Sequence, residues 1–131
     1  MPQNIDLKFI EGQLLGQGVE FAAFINKQGR AIDCAWKNQI NLSEEEKEMF
    51  FMMNSLNLTM QGDYDNNLGT VQYTVTEREN SKIISIPVPL GSIVLVAKKE
   101  ARLSFLVKKI SNAIDYVKSL NDNLPCCEIT A

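Results

Sequence analysis

Residues 82–98 read KIISIPVPLGSIVLVAK, and how this stretch divides decides the fold. Pro89-Leu90-Gly91 is turn chemistry: proline fixes its own φ, and glycine accepts backbone angles other residues avoid. It separates KIISIPV (82–88) from SIVLVAK (92–98), two β-branched runs too short to be helices. The second run is apolar on both faces, as a strand covered from both sides must be. Pro87 falls inside the first, which places it where no ladder hydrogen bond is needed, at the strand's end or at a bulge.

Upstream, TVQYTVTE (70–77) alternates. Val71, Tyr73 and Val75 share one face, and Gln72, Thr74 and Thr76 the other, which predicts a half-exposed strand. VEFAAFIN (19–26) and AIDCAWK (31–37) flank Lys27-Gln28-Gly29-Arg30, a hairpin pattern whose loop uses Gly29 for a positive φ. The first of these strands is apolar on both faces; the second sets Ile32, Cys34 and Trp36 on one face and Asp33 on the other. Downstream, Leu103, Leu106, Ile110, Ala113, Ile114 and Val117 form the core stripe of a last helix over about 101–120, with Lys108, Lys109, Asn112, Asp115 and Lys118 facing water. Leu7, Ile10 and Leu14 predict a short first helix that Gly16-Gln17-Gly18 ends. Residues 1–120 then make one domain, and NDNLPCCEITA (121–131) a flexible tail.

A middle helix lies between the second and third strands. Ser43 is its N-cap and Glu46 completes a capping box, while Glu44 and Glu45 sit where the helix dipole favours negative charge. The turn residues Gly62 to Gly69 are expected to stop it. On a helical wheel Met49, Met52, Met53, Leu56 and Met60 share one broad face, expected to be the core face. Phe51 and Leu58 fall nearly opposite, with Ser55 beside them. Only one side can rest on the chain's own sheet, so Phe51, Ser55 and Leu58 are expected to meet a second copy of the chain.

The order helix, strand, strand, helix, strand, strand, strand, helix resembles the roadblock (dynein light chain) family, within which the chain looks most like uncharacterised archaeal members. Gly18-Val19 before the first strand, Asn26-Lys27-Gln28-Gly29-Arg30 in the first hairpin, and IPVPLGSIVLVAKKEARLSFLVKKI (86–110) carry the resemblance. It implies an α+β fold, an α/β/α sandwich of roadblock/profilin-like type. A five-stranded antiparallel sheet would carry the middle helix on one face and the first and last helices on the other, with strands 19–26 and 92–98 central. It also implies a homodimer through the middle helix and the third strand, which adds Val71, Tyr73 and Val75 to the interface, and a small Ras-like GTPase as the candidate partner. The family's middle helix is smaller and Ala-rich, whereas Met and Phe crowd this one, and larger residues hold helices further apart.

The remaining residues exclude more than they suggest. At 131 residues the chain is large enough for one core, and its net charge of -3 lacks the basic face that nucleic acid demands. No apolar run is long enough to insert in a membrane, and the N-terminus has neither a signal nor a transit pattern. A cytoplasmic protein with Cys34, Cys126 and Cys127 as reduced thiols is expected. There is no histidine, which removes the usual general base and the commonest metal ligand. Asp63-Tyr64-Asp65-Asn66-Asn67-Leu68-Gly69 imitates a calcium loop, but Leu68 stands where glycine is required and Thr74 where the bidentate Glu must be. Gly16-Gln17-Gly18 precedes a strand instead of following one, the wrong context for a phosphate cradle. Neither catalytic residues, cofactor nor metal is expected. The expectation is a non-enzymatic interaction module, a homodimeric scaffold or regulator; the alternative is a cytosolic small-ligand sensor of PAS-like or profilin-like type.

Overall fold

The computed structural model describes residues 15, 16 and 18–122, without the side chains of 110, 113, 114 and 116–122. The first helix expected over Leu7, Ile10 and Leu14, most of the last helix's core stripe and the tail cysteines lie outside the described residues. Five strands form one antiparallel sheet: β1 (Val19–Asn26), β2 (Ala31–Trp36), β3 (Thr74–Glu77), β4 (Ser81–Val88) and β5 (Gly91–Lys98). Their order is β2-β1-β5-β4-β3, so β5 takes the centre with β1 beside it. Among the described residues one edge of β2 and one of β3 have no neighbouring strand.

Alternation along β1, β4 and β5 sorts their side chains into two buried clusters. Phe21, Ala23, Ile25, Ile83 and Val94 pack with Phe51 of helix α1 (Glu44–Gln61). Val19, Ala22, Phe24, Ile84, Ile86, Ile93 and Leu95 pack with Leu106 of the last helix, α3 (Leu103–Asp122). Helices therefore cover both faces of the sheet, and each large aliphatic side chain withdrawn from water there stabilises the fold by about 1.5–3 kcal/mol. Leu103, expected in the stripe of α3, is exposed.

Two glycines hold the hairpins together. At Gly29, φ is 85°, and Asn26 Oδ1 accepts from the amides of Gln28 and Arg30 at 3.0 Å each, which pins the β1–β2 turn. Gly91 opens β5 at φ 155° beside β1. A Cβ there would sit 1.9 Å from the carbonyl oxygen of Ile25, so the two strands can approach only where no side chain exists.

One strand boundary differs from expectation. The third strand spans Thr74–Glu77 instead of 70–77. Pro89 and Leu90 form a two-residue turn that makes Val88 and Gly91 the closing pair of β4 and β5, and the alternation of the ladder then turns Pro87 toward the side of β3. Proline has no N–H to offer there, and the pairing stops at Thr74 with Ser85. The middle helix stops at Gln61 as expected, with Gly62 as its C-cap, although Gly62 keeps right-handed angles (φ -62°). The chain continues through a 3-10 turn at Gly62–Tyr64 and the one-turn helix α2 (Asp65–Leu68), and ends its helical course at Gly69, φ 85°.

Candidate functional site

The sequence sets the start of α1 as expected. Glu46 N donates to Ser43 Oγ at 3.1 Å, and Ser43 N donates to the Glu46 carboxylate at 2.9 Å, closing the capping box. Lys47 Nζ lies 2.9 Å from Glu44. From this start the helix presents two unlike faces.

The inner face carries Lys47, Phe51, Asn54, Ser55 and Leu58, all at least partly buried. Phe51 is 5% exposed; its ring stacks on Phe21 with centroids 6.2 Å apart and tilts against Phe50 at 5.8 Å. One turn on, Ser85 Oγ donates to Asn54 Oδ1 at 2.8 Å, and Asn54 Nδ2 donates to the Phe50 carbonyl at 2.7 Å. The buried hydroxyl of β4 thus has its partner on the helix, and the pair fixes how far along the sheet the helix lies.

The outer face carries Met49, Met52, Met53, Leu56 and Met60, each 50–67% exposed. Leu42, Met49, Phe50, Met53 and Leu56 line a shallow groove of about 820 Å³, with Glu45, Glu46 and Lys27 among its polar borders. Tyr64 and Leu68 prolong the run of exposed large apolar residues past the end of α1.

The two sectors separate as the wheel indicates, but their roles are exchanged. Met49, Met52, Met53, Leu56 and Met60, expected in the core, face outward, and Phe51, expected at the interface, is the buried anchor, with Ser55 and Leu58 half-buried on its side. Fit decides this. The sheet beneath already supplies Phe21, Ile25, Ile83 and Val94, and the helix comes close enough that a Cβ on Gly29 would stand 3.2 Å from Met52 Cα. A stripe with one ring and small or polar neighbours fits that space; a stripe of four methionines and a leucine does not. The sequence signal missed was the pairing of Asn54 with a serine on a buried strand, which reads as solvent-facing polarity until the partner is known.

Val71, Tyr73 and Val75 are half-buried, and Tyr73 and Val75 pack on the cluster shared with α3. The side chains of Tyr73 and Val75 therefore belong to the layer opposite α1, while β3 still presents its outer backbone edge. Cys34 is half-buried against the α1-side cluster. Lys109, on α3, donates to the Leu15 carbonyl at 3.1 Å, and burial first, then the Lys37 ammonium, lowers its pKa from the ordinary lysine value. Among the described residues no group of three or more His, Cys, Asp or Glu could hold a metal, and no helix is long and apolar enough to cross a membrane.

A family described as a family of unknown function (DUF6659) matches residues 4–119. No curated protein sequence matches. Solved structures do: the Roadblock/LC7 domain from Streptomyces avermitilis superposes with a TM-score of 0.69 at 13% identity, covering 88% of this chain and 97% of that one. MglB from Myxococcus xanthus gives 0.72 at 13% identity, over 92% and 100%, and MglB with a tetrameric arrangement gives 0.71 at 12%, over 86% and 85%. The fold is the roadblock/LC7 fold.

Proposed function

The chain belongs to the DUF6659 family, and from that membership, the roadblock fold and the apolar outer face of α1 we propose a non-enzymatic interaction module that works as a homodimer. One observation carries the reading: five large apolar side chains at 50–67% exposure on one helix face, directly opposite the stripe that holds the helix to its own sheet. Two-fold packing would set that face against itself and withdraw its apolar side chains from water. The likeness to an MglB seen in a tetrameric arrangement supports assembly. The open edge of β3 is the second contact in this reading, contributing backbone amides and carbonyls while Tyr73 and Val75 stay in their own layer.

The partner class we propose is a small Ras-like GTPase, on the strength of the roadblock resemblance. A dimer offers it a two-fold platform and acts as scaffold or regulator without chemistry of its own.

Sedimentation tests the assembly. The wild-type chain is expected to run as a dimer at tens of micromolar, and Met52→Glu with Leu56→Glu as a folded monomer; a monomeric wild type overturns the reading. Pull-down of small GTPases in each nucleotide state tests the partner, with loss of binding expected in the monomeric variant.

A further inference from the structure

The sheet is covered unevenly at one end. Helix α1 begins only at Glu44, and before it the connection at 38–42 arches over the start of β4 and the end of β5, leaving a recess of about 510 Å³. That lies within the span of about 300–1,000 Å³ usual for small-molecule sites. Its floor is Ile83 and Val96, a cross-strand pair of β4 and β5; Ile40 and Phe50 close it from above.

Val96 marks the opening. It sits in the central strand, on the face that α1 covers, and Ile93, Val94, Leu95 and Ala97 around it are all buried. Val96 alone in that run keeps contact with solvent, and a side chain in the middle of a sheet reaches water only through a gap in the layer above it.

The mouth of the recess is cationic. Arg78 and Lys98 stand there exposed, and among the described residues neither has an acid within ion-pair distance. The acid at the rim, Glu20, accepts a hydrogen bond from Asn38 Nδ2. An apolar floor under two uncommitted cations matches a molecule with a hydrocarbon body and a single anionic end.

We propose that this recess binds a small apolar carboxylate, its body on Ile83 and Val96 and its carboxylate on Arg78 and Lys98. A guanidinium and an ammonium at the mouth favour such an anion through charge-assisted hydrogen bonds, and a neutral analogue would leave them unused. The recess shares Leu42 and Phe50 with the groove beside the outer face of α1 but none of that face's five exposed apolar residues, and the inference does not depend on the assembly reading.

Octanoate and octanol, titrated into the full chain with amide and methyl signals followed by NMR, test it. Octanoate is expected to shift Ile40, Ile83 and Val96 saturably and to bind at least about tenfold more tightly than octanol. Arg78→Gln with Lys98→Gln, both on exposed positions, is expected to erase that difference while leaving octanol binding unchanged. Equal affinities of the wild type for the two probes, shifts centred on the methionine face, or no saturable shift at all would each overturn the proposal.

Discussion

The two faces of α1 differ in a way that hydrophobicity alone gets backwards. The inner one joins the core with a single buried ring, two half-buried neighbours and an amide bonded to a serine of the sheet; the outer one holds four of the chain's five methionines and a leucine, in contact with solvent. Burial strengthens in proportion to the apolar area removed from water, but only where the layer opposite has room for it. On the inner side the sheet brings its own bulk, so the helix contributes fit. On the outer side nothing of the described chain constrains size, and flexible methionine adapts to whatever lies against it.

If fit holds the inner face, Phe51→Ala should be the most damaging single change on the helix. It removes a ring stacked on Phe21 and leaves a cavity between layers, with an expected cost of about 3–5 kcal/mol in urea unfolding; a loss under 1 kcal/mol would mean the helix is held otherwise. Next comes the polar clasp. Asn54→Ala leaves the buried Ser85 hydroxyl without its partner and should cost about 1–3 kcal/mol, and adding Ser85→Ala should recover much of it. A double variant no better than the single one would show that Asn54 acts through its bond to the Phe50 carbonyl.

Smaller effects sharpen the contrast. Ser43→Ala removes the cap that serves both faces alike and should cost about 1 kcal/mol by thermal unfolding, independent of protein concentration. Met52→Gln and Leu56→Gln should change the stability of the dilute, dissociated chain by about 0.5 kcal/mol or less, yet weaken association measurably in sedimentation at tens of micromolar. Equal losses of fold stability from the inner and outer substitutions would erase the distinction between the faces.

The sheet was legible wherever a local rule sufficed. Alternation and the turn residues at Gly29 and Pro89-Leu90-Gly91 place four of the five strands within a residue or two, and the capping box places the start of α1. Two things were not legible because they depend on residues distant in sequence. The start of β3 is set by Pro87, ten residues after that strand closes, and the orientation of α1 by what β1, β4 and β5 already contribute beneath it. The recess near Val96 has the same origin: its residues come from β4, β5, the 38–42 connection and α1, and no spacing along the chain announces it.

The strand order also decides whether growth of the assembly stops. Two copies joined β3 to β3 use the same edge twice, so the sheet doubles once, closes on its symmetry axis and ends in β2 on both sides. A contact of β2 with β3 would instead leave one of each free on every pair, and each addition would recreate the site for the next, the geometry of a fibre. Which edge meets which therefore separates a finite particle from an open polymer, with β2 as the terminus in the first case and the growing end in the second.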